Sequence, residues 1–140
     1  MVIVDTSVWI EAGRLHGKLE VKVALEALLE AYEATWCGVV KLEFNGRAKE
    51  SERRKLEFFF STIPYKATSE AHWEAAKKLG WKLRDSGITV PTNDILLAAL
   101  ALEAGCRLYA VDAHFEEIAR LVPLALYRPS YGGSYNPGVE

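Results

Sequence analysis

Four carboxylates sit where apolar stretches of this chain begin or end: Asp5, Glu43, Asp94 and Asp112. Asp5 closes the run Val2-Ile3-Val4, and Asp112 closes Leu108-Tyr109-Ala110-Val111. Glu43 follows the β-branched and aromatic segment from Thr35 to Val40, and Asp94 opens the apolar stretch Ile95 to Leu102. Carboxylates brought together repel one another unless a cation compensates. Oxygen-only ligands select hard divalent ions such as Mg²⁺ or Mn²⁺. A centre of that kind activates water and stabilises charge on a leaving oxygen, the chemistry of phosphodiester hydrolysis.

Each acid also has a plainer reading. Asp5, before Thr6 and Ser7, suits a helix cap, and Asp112 suits a cap for a helix from His114. Asp94 near a helix start is favourable with the helix dipole whatever else it does. Glu43, in the first turn of a helix, is ordinarily solvated. The case for one site rests on three of the four falling just past apolar strands on one sheet edge.

The elements that must deliver them can be read from hydrophobic period and punctuation. Strands are expected at Val2–Asp5, Thr35–Val40, around Ile63–Lys66, Leu108–Val111 and Leu124–Tyr127. Helices are expected from Ser7, where Thr6 and Ser7 would cap, and from Leu19 to Tyr32. Others are expected at Lys41–Phe44, Lys49–Phe60, Ser69–Asp85, Ile95–Ala104 with Thr92-Asn93-Asp94 capping, and His114–Leu121. Strands alternating with helices imply βαβ units. The expected fold class is therefore α/β, a mainly parallel sheet of about five strands with helices on both faces. Ligands of such sheets sit beyond the carboxyl ends of the strands. Which end receives Asp94 is open, because the connection from Gly87 to Asn93 is long enough to carry its helix back to the same rim.

Composition narrows the function classes. One domain over residues 1–127 is expected, with an irregular or disordered tail at 128–140. A net charge of −2 gives no global basic field, so nucleic-acid binding would have to rely on a local patch. The longest apolar run has eight residues, far short of a bilayer span. With no basic and apolar leader pattern at residue 1, and with Cys37 and Cys106 isolated in apolar surroundings, the expected compartment is the cytoplasm.

The four acidic segments together resemble those of a known family. Val4-Asp5-Thr6-Ser7, Val40-Lys41-Leu42-Glu43, Pro91-Thr92-Asn93-Asp94-Ile95 and Val111-Asp112-Ala113-His114-Phe115 are similar, in order and spacing, to the motifs of PIN-domain ribonucleases of the VapC toxin type. The resemblance spans Val2 to about Tyr127. It implies a three-layer α/β/α sandwich with Asp5, Glu43, Asp94 and Asp112 in one pocket holding Mg²⁺ or Mn²⁺. It also implies endoribonuclease activity on RNA, a homodimer and inhibition by a VapB-type antitoxin. Asp5, Asp94 and Asp112 are the expected metal ligands, with Ser7 and Asn93 supporting them. One departure stands out: the family often places Thr or Ser two residues before the last acid, where this chain has Ala110.

Other residues also have ordinary structural readings. Arg47, Lys49, Arg53, Arg54 and Lys55 form a basic cluster after Glu43; Arg47 and Lys49 are the candidate RNA contacts, against a solvated helix with a Glu50–Arg54 pair. Trp73, Lys77, Trp81 and Arg84 share one side of a helix; base stacking competes there with burial of at least one tryptophan, and burial is the expectation. His114 is read as a cap or core residue rather than a general base. Tyr131 and Tyr135 are left in an unstructured tail.

Three functions compete. The first is a divalent-metal-dependent endoribonuclease. The second, prompted by Ala110, is a PIN-like module that binds RNA or protein without cutting. The third, an aspartyl-phosphate hydrolase, lacks a second Asp two residues after Asp5, where the chain has Ser7, and no GxxxxGK[ST], GxGxxG or HExxH motif occurs.

Overall fold

A computed structural model describes residues 1–138. Its elements in order are β1 (Val2–Val4), α1 (Thr6–Gly13), α2 (Leu19–Glu30), β2 (Ala34–Cys37), α3 (Gly38–Glu43), α4 (Glu50–Ser61) and β3 (Tyr65–Lys66). Then come α5 (Glu70–Asp85), α6 (Thr92–Ala104), β4 (Arg107–Tyr109) and α7 (His114–Leu121). Short 3₁₀ turns occupy Asn45–Arg47 and Tyr131–Gly133.

The strands form one parallel sheet in the order β3-β2-β1-β4. The central strand β1 is fully buried, as an all-parallel sheet covered on both faces requires. From β1 the chain steps outward through β2 to β3, then crosses back to place β4 on the other side of β1. Right-handed crossovers put the helices of these two halves on opposite faces. Packing agrees: α1 touches α2 and α3, and α5 touches α6. The strand order reverses between β1 and β4, so their carboxyl ends open a crevice where such sheets take ligands.

The expected α/β class and three-layer arrangement are observed, with every strand shorter than expected and one fewer in number. The second strand stops at Cys37 rather than Val40. Its neighbour β3 has only two residues, paired to Trp36 and Cys37, so nothing remains for residues 38–40 to pair with. They turn instead into α3, which buries Val39 and Val40, packing having overridden β-branched propensity. Glu43 thereby moves from the first turn of a helix to the last residue of one. The fourth strand stops at Tyr109 because its partner β1 ends at Val4; the last ladder bond runs from Asp5 N–H to Tyr109 O at 2.8 Å. Asp112 lies in a bend beyond it. The expected fifth strand is a single parallel bridge, Leu108 to Leu126, because after Tyr127 the chain turns toward the tail.

Helix α6 is the most buried of the helices, with Leu97, Ala98, Leu100 and Ala101 fully covered. It ends at Gly105, whose φ of 62° is the left-handed conformation that stops a helix. Its start settles the question about Asp94. Asn93 in its first turn reaches Glu43, at the end of the helix that follows β2, and its last residue leads into β4, so α6 begins near the carboxyl rim and runs toward the amino end of β4.

Residues 128–138 follow an irregular but packed course. The turn at Tyr131–Gly133 lies against α2, and a Cβ on Gly133 would stand 2.5 Å from Glu20 O. Tyr135 directs its hydroxyl toward Glu33 at 3.5 Å, while Tyr131 is fully exposed. The expectation for residues 139 and 140 lies outside the described residues.

Candidate metal centre at the carboxyl rim

Asp5 is the first residue past β1 and caps α1 directly, its plainer expected role, while Thr6 and Ser7, also expected as caps, lie inside the helix. Its Oδ2 accepts from Ser7 N–H at 3.0 Å and from Ser7 Oγ at 2.5 Å. Asp5 is only 3% exposed. Burial pushes its carboxyl up to about 6, against the pull of the Ser7 hydrogen bonds, and the charges of Asp112 and Asp94 add to the rise. No hydrogen bond among the described residues reaches its Oδ1.

Ser7 does a second job. Its Oγ accepts the Val111 N–H at 3.1 Å, joining the end of β1 to the loop that carries Asp112. This joint bears on Ala110: a hydroxyl is missing two residues before Asp112, but Ser7 pins the next residue from across the crevice.

Glu43 is gripped at both oxygens. Thr6 Oγ1 donates to its Oε1 at 2.9 Å and Asn93 Nδ2 to its Oε2 at 3.2 Å. The starts of α1 and α6 are thus tied to the end of α3. Thr6 was missed in the sequence except as a cap; a partner 37 residues away leaves no local signal.

Asp94, in the first turn of α6, and Asp112 meet through His114. The imidazole Nδ1 is 2.7 Å from Asp94 Oδ2 and 3.6 Å from Asp112 Oδ1. Asp112 Oδ1 also caps α7 by accepting the His114 N–H at 3.1 Å. His114 is therefore neither core nor cap by its side chain; it is exposed and faces the acids. Burial raises the Asp94 carboxyl, with the hydrogen bond from His114 opposing and the charges of Asp112 and Glu43 reinforcing. The His114 imidazole is raised by that bond to Asp94 and by the nearby carboxylates.

The fit to a divalent cation can be judged from these donors. One ligand atom each from Asp94, Asp112 and His114 lie within 4.8 Å of one another. Asp5 and Glu43 add charge that reaches this group. A set dominated by carboxylate oxygen with one imidazole suits Mg²⁺ or Mn²⁺, the nitrogen favouring the latter.

The basic candidates stand apart from this network. Arg47 lies in the 3₁₀ turn after α3, and Lys49 precedes α4; both are exposed and form no ion pair among the described residues. The expected Glu50–Arg54 pair does not form; Arg53 instead donates to Ala48 O at 3.1 Å. Neither tryptophan of α5 is core: Trp73 is 51% and Trp81 58% exposed, because α5 packs through Ala76, Leu79 and Leu83 on its other side.

Comparison with known proteins matches this arrangement to a family. The PIN domain description fits residues 2–121. Ribonuclease VapC11 of Mycobacterium tuberculosis is 33% identical over 129 residues, covering 89% of this chain and 96% of that protein. Among solved structures, VapBC2 from Rickettsia felis, bound to a DNA fragment from its promoter, superposes with a TM-score of 0.73 at 22% identity, covering 91% of this chain and 98% of that one. VapBC-5 of Mycobacterium tuberculosis, of the VapBC family of toxin-antitoxin systems, gives a TM-score of 0.62 at 19% identity, covering 90% and 96%. By sequence along nearly its whole length, and by a fold that agrees, the chain belongs to the PIN-domain family, on its VapC branch.

Proposed function

We propose that the chain is a divalent-metal-dependent endoribonuclease, the VapC-type toxin of a toxin–antitoxin pair. The observation that carries this reading is the convergence of Asp94, Asp112 and His114 at the carboxyl rim, beside buried Asp5 and doubly held Glu43. Its relatives named ribonucleases support the substrate class, and neighbours solved as VapBC complexes support a VapB-type antitoxin as partner. A homodimer, a cytoplasmic setting and a single domain over residues 1–127 complete the proposal. Among the described residues no helix is long and apolar enough to cross a membrane.

In this reading Asp5, Asp94 and Asp112 hold Mg²⁺ or Mn²⁺, and Glu43 completes the acidic wall. The ion, when bound, supplies charge stabilisation for the phosphate and an acidified water. The chain supplies geometry. Ser7 aims Asp5, Thr6 and Asn93 aim Glu43, and the Val111–Ser7 bond holds the Asp112 loop against β1. One of the acids takes the proton of the attacking water.

The test is cleavage of total RNA. The wild type should cut in the presence of Mg²⁺ or Mn²⁺ and stop on chelation, while Asp5→Asn and Asp94→Asn should each lower the rate by at least about a hundredfold. Undiminished cutting by both variants would remove the assignment. Calorimetry with Mg²⁺ and Mn²⁺ separates the non-cleaving alternative prompted by Ala110: RNA binding without metal binding would favour it, while the Ser7 hydroxyl, which accepts the Val111 N–H, speaks for the metal centre.

A further inference from the structure

Beside the acids lies a groove that the metal chemistry does not use. It has a volume of about 470 Å³ and is walled by Gly38, Val39 and Leu42 of α3, Tyr65 of β3, Trp73 of α5 and Asn93 of α6. The walls are mostly apolar, yet much of their surface faces solvent: Leu42 is 73%, Trp73 51% and Tyr65 42% exposed. Three large apolar side chains left open around one concavity call for an occupant.

Two observations say what kind. The first is continuity with the acids. Asn93 lines the groove and also donates to Glu43 at 3.2 Å, so groove and acidic wall share a side chain. An occupant of the groove lies next to whatever reaches the acids. The second is charge. The Lys41 ammonium stands 4.2 Å from the centre of the Tyr65 ring, two residues before Glu43, and makes no ion pair among the described residues. A cation over the ring of Tyr65, itself a wall of the apolar slot, matches a flat heteroaromatic group linked to a phosphate. The slot is kept open by small residues: a Cβ at Gly38 would already stand 3.3 Å from the Tyr65 hydroxyl.

Resting on the ribonuclease reading, we propose that this groove is a base-binding subsite. One unpaired nucleobase next to the scissile phosphate packs against Trp73 and Tyr65, with Thr68 and Asn93 offering polar contacts to its edge and Lys41 meeting the adjoining phosphate. A duplex cannot deliver a base there without unstacking it, so the subsite selects single-stranded or looped RNA. It also gives the enzyme a base preference at one position beside the cut.

The experiment has two arms. In the first, product ends of total RNA cut by the wild type, Trp73→Ala and Trp73→Phe are sequenced. In the second, short fluorescein-labelled homopolymers of U, A and C are bound to the Asp94→Asn variant, with and without Trp73→Ala, by anisotropy, and sedimentation gives the oligomeric state. Trp73→Ala should weaken binding by roughly tenfold and flatten base preference at one position, while Trp73→Phe retains both. Unchanged binding and unchanged product ends, from a wild type that does cleave, would overturn the subsite and leave the ribonuclease reading intact. Loss of binding that tracks dissociation of a dimer would also overturn it, assigning the face to a second copy. A wild type that cleaves no RNA yet binds homopolymers through Trp73 would sink the ribonuclease reading and keep the groove as an RNA-binding site.

Discussion

At the scale of single residues, Asp5 carries two opposed demands. It caps a helix, which favours its charge, and it is buried among other carboxylates, which does not. The second effect wins, and its carboxyl rises to about 6 from an ordinary value of 3.8. The sign of the consequence follows from linkage. A group that binds its proton more tightly when folded loses stability for the fold as pH rises from about 4 through about 6. The metal-free protein should therefore melt higher at about pH 5 than at about pH 7.5 as far as this group is concerned, by roughly 1 kcal/mol. Asp5→Asn should remove that slope, and added Mn²⁺ should restore stability near neutrality in the wild type alone. Calorimetric melts across this range decide it; matching slopes for both proteins would contradict the account. Thr6 offers a second check. Thr6→Val keeps the shape but removes the donor to Glu43 Oε1, leaving Asn93 as its one partner. Cleavage should drop by roughly tenfold to a hundredfold, by analogy with residues that orient metal ligands in other enzymes.

At the scale of elements, α6 anchors the site because its first turn carries Asn93 and Asp94 while its body fills the core. Leu97 is fully buried, so Leu97→Ala should cost about 2–5 kcal/mol, read as a lower denaturation midpoint in urea. The apolar run that marks α6 and the Gly105 that ends it are plain in the sequence, as is the run that marks β1. The junction of β2 and α3 is not. Val39 and Val40 have strand-like side chains, and only the two-residue length of β3 tells them to turn. The end of β4 is likewise dictated by β1, which no local window around Val111 contains. The same limit applies to the side-chain contacts. Order and spacing bring out the four acids, but the Thr6–Glu43 and His114–Asp94 pairs join residues 37 and 20 positions apart and leave no periodic trace.

At the scale of the whole molecule, the segment after Tyr127 has no hydrophobic period, yet it is packed. Its hold is a close approach of backbone to backbone, which sequence patterns register only as a glycine. Gly133 has a φ of 94° and no room for a side chain against Glu20 O and Ala24 N. Gly133→Ala should cost about 1–3 kcal/mol through strain and displacement of the turn from α2, measured by chemical denaturation, while cleavage persists. Arg107 reinforces the same closure, donating to Asn136 O at 2.9 Å with its guanidinium over the Tyr127 ring.

The position of β1 in the sheet has a consequence for synthesis. Strand β1 is made before its sheet neighbour β4, which begins only at Arg107. Asp5 therefore waits for Asp112 until the chain between them has been made. Contacts of such long sequence separation form late and slowly. A nascent chain not yet extended past Asp112 holds its acids apart, and the centre closes only after that segment has emerged. For a protein whose proposed target is RNA, that order of assembly delays activity until the segments after β4 have been made.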